Sequence, residues 1–460
     1  METVSLEFIL NATGGRLSRA CYNTKFDKIS TDTRQITPGC LFLALRGERF
    51  DGNDFLEQAF EKGASACIAQ RRADNGPVIL VRDSVEALHR LAAAYRRRFD
   101  IPAVGVTGSV GKTSTKEMIA CALGTRYRVL KNEGNRNNGI GMPLSVFDLA
   151  RTHTAAVWEM GMSGFGEISA LSKIASPRVA VITNIGVSHL EKLGTRENIL
   201  KAKLEIRDGM KPGGTLVLNA DDVRLRAVKP AVGETVVTYG LGDGKTDFHA
   251  DSISVEPERT VFRVTAGEEI ARVELPVCGR HHVYNALAAI ACARLLGIPV
   301  TESAAALRGY TPTGLREKFV DFHGVRLIED CYNASPDSMQ SAFGLLAALD
   351  VPGRRIAVLG DMKELGGISP QAHFDTGVAA RAAGVGVLLT LGPEARHIAE
   401  GFRSAPGTGE PECRSFDDPK ELAAALAVRM KPGDTVLFKA SRAMQLENVA
   451  RMACESRREP

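Results

Sequence analysis

The chain has 460 residues, a length that predicts about two to four domains. Apolar residues make up 44% and charged residues 24%, which excludes a wholly disordered or fibrous protein. The formal charge of +4 is too balanced, and aromatic residues at 6% with one tryptophan are too sparse, for a nucleic-acid binder. The opening stretch METVSLEFILNATGG carries Glu2 and Glu7 and no basic run, so it does not read as a secretory leader. No apolar run approaches the roughly 18 residues a membrane span needs. The nine cysteines are scattered, with no zinc or thioredoxin spacing, and read as reduced thiols of a cytoplasmic protein.

Three blocks follow in chain order, with expected boundaries at 1–99, 100–310 and 311–460. The first holds short strand-like runs (CLFLAL, ACIAQ, PVILV) and ends in a helix over 85–98. The tail Arg96-Arg97-Arg98 reads as a solvated helix end that complements the dipole. The second opens on a buried-strand pattern at 101–106 and alternates strands (AAVWEM, VAVITNIG, GTLVLN) with helices, which predicts a mostly parallel sheet with helices on its faces. Polarity alternates over 247–277, so an antiparallel patch is expected there. A helix over 283–296 ends at Gly297 and Pro299. The third block repeats the α/β rhythm (GVRLIED, RRIAVLGD, VGVLLTLG, DTVLFKAS) with four helices. The glycine-containing connection 309–314 before it is a candidate hinge. The end of the chain, 455–460, is expected to fray.

The strongest local signal is IPAVGVTGSVGKTSTK, where a strand runs into Gly108-Ser109-Val110-Gly111-Lys112-Thr113 and then a helix. Glycines let the backbone wrap a phosphate, and N–H groups at a helix start point at the anion. Lys112 supplies a mobile cation and Thr113 a hydroxyl for Mg²⁺. The match is the short G-x-x-G-K-T form, because Val106 stands at the first glycine of the longer pattern. A second Gly244-Lys245-Thr246 has no amphipathic helix after it, and Asp243 and Asp247 would repel phosphate, so it reads as a turn.

Further along, Glu159 ends the strand AAVWEM and His189 follows VAVITNIG, so both fall where parallel sheets bind ligands. In NILKAKLEIRDGM, Lys201 has Glu197 and Glu205 four residues to either side and reads as a solvated ion-pair position. Lys203 shares its face with Ile199, Leu200 and Ile206. Burial there would lower its pKa. A neutral buried amine can add CO₂ to give a carbamate, an anionic oxygen ligand for Mg²⁺; a snorkelling lysine is the alternative on the residues alone.

Taken together, GVTGSVGKTSTKEM, NEGNRNNGIGMPL, WEMGMSGFGEI, NIGVSHLEKLGTRENILKAKLEI, VLNADD and GRHHVYNALAA resemble, in order and spacing, the Mur ligases, ATP-dependent amide-forming enzymes of peptidoglycan precursor synthesis. The resemblance covers essentially the whole chain. It implies an α/β protein of three domains: a small uridine-diphosphate-binding domain, a central P-loop ATPase-like domain with a mostly parallel sheet, and a C-terminal Rossmann-like domain. ISTDTRQITPGCLFLALRGERFDGNDF at one end and DCYNASPDSM, LGDMKELG and LFKASRAMQLENV at the other resemble the member that joins D-Ala-D-Ala to UDP-N-acetylmuramoyl-tripeptide. Folylpolyglutamate synthase shares the P-loop and lysine but lacks a uridine-binding first domain.

Carried over by position, the resemblance implies that Thr107, Gly108, Ser109, Val110, Gly111, Lys112, Thr113 and Ser114 hold ATP. It implies that Thr113 and Glu159 bind one Mg²⁺, and Glu159, His189 and an N6-carboxylated Lys203 a second. Lys112, Glu159, His189 and Lys203 form the catalytic set. Asn285 lies near the adenine, and Arg316 and Asp330 reach the nucleotide from the third domain. Ser30, Thr31, Asp32, Arg34, Leu45, Arg46 and Gly47 lie near the uridine diphosphate, and Asn137 and Asn138 along the muramoyl-peptide. Asn333, Ser335, Asp361, Glu364, Lys439, Ser441 and Arg442 surround the incoming dipeptide. A monomer is expected. Two positions depart from the family pattern: His282 stands where many relatives carry Asn ahead of Asn285, and Asn53 where related sequences often have His.

Overall fold

A computed structural model of the chain describes residues 1–47, 50–242, 245–256, 258–407 and 410–457. Asp243 and Gly244 of the expected GKT turn, and 458–460 of the expected frayed end, lie outside the described residues. No helix among the described residues is long and apolar enough to cross a membrane.

Three main sheets form in chain order. The first has five strands, ordered Arg16–Leu17, Val78–Leu80, Ala66–Ala69, Leu41–Leu43 and Ile29–Ser30, parallel except for the antiparallel first pair. The last has six strands, of which Val325–Glu329, Thr435–Lys439, Arg355–Gly360, Val387–Leu391 and Glu412–Phe416 run parallel, while Lys318–Phe322 pairs antiparallel at the edge.

The central sheet of nine strands carries the phosphate loop. Its strand Ala103–Thr107 is fully buried and lies between Ala155–Glu159 on one side and Val179–Ile182 on the other, parallel to both. The strand order therefore reverses at Ala103–Thr107. A crevice opens at such a reversal, because the following connections leave toward opposite faces. The register pairs Glu159 with Val106 and Ile182 with Thr107, so the carboxylate stands level with the start of the loop. The expected antiparallel patch is present as Phe248–Glu256, Arg259–Ala266 and Glu269–Leu275, and it extends this same sheet.

The helix Ser84–Arg96 opens on an Asp83 cap that accepts from the N–H groups of Val85 and Glu86. It buries Leu88, Leu91 and Tyr95 in one core with Met142, Trp158, Ile168 and Leu171, so the first block is welded to the central sheet by apolar burial. Tyr95 Oη donates to Leu149 O across that seam at 2.7 Å. One expectation fails here. Arg96 is not solvated: it is 2% exposed and donates to the carbonyls of Phe99, Ile101 and Ala175. Only Arg97 and Arg98 are exposed. A buried guanidinium is tolerated there because five donors can saturate carbonyls left over after the helix ends.

Candidate active site

The loop between Thr107 and the helix Lys112–Leu123 is held in a shape that side chains would obstruct. A Cβ on Gly108, whose φ is +148°, would lie 1.9 Å from Thr183 Oγ1, and one on Gly111, at φ +84°, 2.8 Å from Asn285 Oδ1. Val110 is clamped by its neighbours. Its carbonyl accepts from Thr183 Oγ1 at 2.6 Å and Asn184 Nδ2 at 3.0 Å, and its N–H donates to Asn184 Oδ1 at 2.9 Å. The Lys112 ammonium folds back over the loop and donates to the carbonyls of Gly108 and Ser109. Burial pulls the Lys112 pKa down and the Glu159 carboxylate pulls the other way. A bound polyphosphate would remove that burial penalty by supplying counter-charge.

Glu159 is 1% exposed. Its Oε2 accepts from Thr113 Oγ1 at 2.8 Å and its Oε1 from Asn137 Nδ2 at 2.7 Å. Behind it lies Lys116, fully buried, with Nζ 3.8 Å from Glu159 Oε2, 3.1 Å from Glu117 and 2.6 Å from the Asn132 carbonyl it donates to. A hydroxyl and a carboxylate in contact at the mouth of a phosphate loop are hard oxygen donors, the set Mg²⁺ selects, so these residues fit that ion.

Lys203 lies on the helix Arg196–Leu204 and is 2% exposed. Burial, aided by the nearby Lys112 charge, holds its pKa well below the ordinary lysine value. Lys201 on the same helix is exposed, and its expected ion pairs do not form. Glu197 pairs with Arg224, and Glu205 accepts from the N–H groups of Gly166 and Ser169. Spacing alone misled here, because both carboxylates have better-oriented donors on neighbouring elements. His189 caps the short helix Leu190–Leu193 with φ +64°. Its Nδ1 lies against the carboxylate of Glu364, which belongs to the last block. That contact holds the Glu364 carboxyl below its usual range.

The loop, Glu159, His189 and Lys203 line one cavity of about 640 Å³, whereas Lys116 and Glu364 are not part of its lining. Its walls include residues 108–114, Asn137, Asn138, Glu159, His189, Lys203 and Asn285, all from the central block. Arg316, Asp330, Asn333, Ser335 and Lys439 come from the last block. Arg316 stacks over the Tyr332 ring at 4.2 Å. Lys439 Nζ donates to Asp330 Oδ2 at 2.5 Å. Asn285 Oδ1 accepts from Thr115 Oγ1, so it braces the loop helix while facing the cavity.

The sequence matches the Mur ligase middle domain over residues 106–293, the Mur ligase glutamate ligase domain over 316–442, and the catalytic domain of the Mur ligase family over 25–96. The chain belongs to the Mur ligase family. A UDP-N-acetylmuramoyl-tripeptide–D-alanyl-D-alanine ligase of Bacillus subtilis is 40% identical over 448 residues, 96% of each chain. A crystal structure of MurF from Acinetobacter baumannii superposes with a TM-score of 0.91 at 30% identity, covering 99% of each chain. MurF ligase from Thermotoga maritima in complex with ADP superposes at 0.83 with 33% identity, covering 94% of this chain and 98% of that one.

Not every residue singled out from the sequence reaches the cavity of this Mur ligase. Thr107 ends its strand fully buried and is not part of the lining. Asp361 is also fully buried: Oδ1 accepts from the Ala395 N–H, starting a helix, and Oδ2 from Lys363 Nζ. Ser441 accepts from the Lys363 N–H, and Arg442 pairs with Glu447. These groups shape the loops behind the cavity wall.

Ser30, Thr31, Asp32, Arg34, Leu45, Arg46 and Gly47 gather elsewhere, past the carboxyl ends of the adjacent parallel strands Ile29–Ser30 and Leu41–Leu43. Ser30 Oγ donates to the Asp32 carbonyl, and Arg34 hydrogen-bonds Asp32, holding that carboxyl at about 2. Asn53 is 4% exposed and accepts from the Gln70 N–H, so it stitches the loop and does not face outward. His282 hydrogen-bonds Glu317. Sequence reasoning passed over Thr183, Asn184, Lys116 and Glu317. For the first two, the available signal was a polar pair closing an otherwise apolar strand, VAVITN.

Proposed function

We infer that the chain is an ATP-dependent ligase that joins D-alanyl-D-alanine to UDP-N-acetylmuramoyl-tripeptide, forming the pentapeptide precursor with ADP and phosphate. The observation that carries this reading is the single cavity in which the phosphate loop, Glu159, His189 and Lys203 meet Arg316, Asp330 and Lys439. The tripeptide carboxylate takes the γ-phosphoryl group, which turns a poor leaving oxygen into phosphate. The dipeptide amine then attacks the acyl carbon, the tetrahedral adduct expels phosphate, and the amine proton leaves to a base or solvent.

The obstacle is charge. A carboxylate about 4 Å from a triphosphate oxygen meets repulsion of about 4 kcal/mol per charge pair at an effective dielectric of 20. Lys112, freed from its own loop carbonyls, neutralises the outer phosphates. Thr113 and Glu159 would hold one Mg²⁺, and Glu159, His189 and N6-carboxylated Lys203 a second. When bound, magnesium supplies charge screening and stabilises negative charge on the transferring group. The depressed Lys203 pKa supports carboxylation, because the neutral amine adds CO₂ with loss of one proton.

Arg316 would meet the phosphates and, with the last domain, keep water from the acyl phosphate, using the connection 309–314 as a hinge. Asn137 and Asn138 line the path of the muramoyl-peptide, Asn285 approaches the adenine, and Asn333, Ser335 and Lys439 surround the dipeptide. Residues 1–99 hold the uridine diphosphate, 100–310 the ATP, and 311–460 the dipeptide. One chain supplies every group, so a monomer suffices, and the substrates place it in the cytoplasm. The test is mass spectrometry of the product formed from UDP-tripeptide, ATP and D-Ala-D-Ala, with phosphate release that requires both acceptor and donor. Phosphate release indifferent to either peptide would refute the assignment.

A further inference from the structure

The helix His281–Leu295 opens on two adjacent histidines, and Glu317 stands in the connection that enters the last sheet. These three residues play no part in the phosphate and magnesium chemistry above, yet all three line the same cavity. His281 Nε2 lies 2.8 Å from Glu317 Oε1, and His282 Nε2 lies 2.7 Å from Oε2. The imidazole centroids are 4.1 Å apart, and one donor atom from each residue falls within 4.8 Å of the others. His282 is 4% exposed, and its Nδ1 is buried with no hydrogen-bond partner. Glu317 adopts φ +48°, a conformation uncommon for a side chain of its size, which turns the carboxylate onto the two rings.

Two imidazoles and a carboxylate form a donor set suited to zinc and its neighbours, and unlike the all-oxygen surroundings of Mg²⁺. Ligands at zinc distances in a tetrahedron stand about 3.4 Å from one another. The present spacings of 2.8 and 2.7 Å need about 0.6–0.7 Å of opening to admit an ion. The partly exposed His281 ring and the Glu317 connection can give that much. Charge also suits it. With Lys439 cancelled by Asp330 at 2.5 Å, the Glu317 carboxylate is left to offset the charge of an incoming dication.

We propose that His281, His282 and Glu317 form a binding site for one zinc-class divalent ion, three-liganded by protein, with its fourth position open to the cavity. Such an ion ties the start of the helix His281–Leu295 to the residue that leads into the strand Lys318–Phe322 of the last sheet. The site is distinct from the magnesium pair at Thr113 and Glu159, and the proposal stands whichever peptide the ligase uses.

The experiment is titration of the purified full chain with Co²⁺ followed by Zn²⁺, read by visible absorption and by thermal melting. One equivalent of Co²⁺ should give tetrahedral d–d bands without a thiolate charge-transfer band, and Zn²⁺ should bleach them. Zn²⁺ should raise the melting temperature of the wild type. His282→Asn and Glu317→Gln should each weaken binding at least tenfold and abolish the zinc-induced shift, while His397→Ala, at a partly exposed histidine outside the cluster, leaves both unchanged. Millimolar Mg²⁺ should not displace the cobalt. No stoichiometric spectrum, a thiolate band from the cysteines, or equal binding by Glu317→Gln would each overturn the site. Should His282→Asn fail to fold, Glu317→Gln alone decides.

Discussion

Lys116→Met is the sharpest probe of the buried charges beneath the cavity. Lys116 has no solvent exposure and lies 3.1 Å from Glu117 and 3.8 Å from Glu159. Methionine keeps most of the volume and removes the cation. At an effective dielectric of 20, the attraction at 3.8 Å amounts to about 4 kcal/mol. Lys131 still pairs with Glu117, so Glu159 loses the more. Breaking a buried pair from one side costs about 3–5 kcal/mol, and at about 2–4 °C per kcal/mol for a domain of this size the melting temperature should fall by roughly 6–20 °C. Magnesium with a non-hydrolysable ATP analogue should restore at least half of that loss, because a cation at Glu159 replaces the missing one. Differential scanning calorimetry with and without that ligand reads both numbers. Lys201→Met, on an exposed position, should change stability by no more than about 0.5 kcal/mol. A fall under about 2 °C, or an equal fall with and without magnesium nucleotide, would refute the idea that Lys116 balances a metal-binding carboxylate.

Lys112→Ala should abolish turnover; phosphate release within tenfold of wild type would remove the phosphate-cradle assignment. Lys203→Ala should be nearly inactive and partly restored by a short-chain carboxylic acid in solution, with Lys201→Ala mild in the same assay; full activity of Lys203→Ala would end the carbamate reading. Asp434 gives a pH signature. Burial raises its carboxyl pKa, but hydrogen bonds from the Arg354 side chain and backbone and from the Lys431 N–H outweigh this and hold it low. A lowered folded pKa means the ionised group stabilises the protein above the ordinary aspartate value of about 4, and that this share vanishes as pH falls through the lower folded value. Denaturant titrations of wild type and Asp434→Asn should therefore converge as pH falls below about 4; a constant gap down to pH 2 contradicts the assignment.

The chemistry at the sheet reversal was legible because it is written in contiguous stretches. A strand, four loop residues and a helix suffice to state Gly108–Thr113, whereas the apolar neighbours of Lys203 at helical spacing fitted a buried amine and a snorkelling one equally, and its 2% exposure decides between them. Edge elements were harder. Glu412–Phe416 has three charged or polar residues in five and pairs on one side only, so its periodicity resembles a loop. Lys116 was hidden because a lysine four residues past the start of an amphipathic helix ordinarily faces water. Its burial depends on Glu117, Asn132 and Glu159, which lie on three different elements. Arg96 deceived for the same reason: Ala175 and Ile101, whose carbonyls it satisfies, are distant or beyond the helix end.

The dipeptide residues show how far a family motif reaches. LGDMKELG and LFKASRAMQLENV are contiguous, yet they divide in space. Lys439 faces the cavity, while Asp361, Ser441 and Arg442 hydrogen-bond among the loops behind it. Glu364 stands between these groups, touching His189 across the domain boundary. A motif of this kind therefore preserves two things at once, the groups that meet substrate and the backbone turns that present them. The buried hydrogen bonds of Asp361 to the Ala395 N–H and to Lys363 belong to the second kind. Its loss would act on cavity shape, through the start of the helix Ala395–Ser404, before it acted on any bond to the dipeptide.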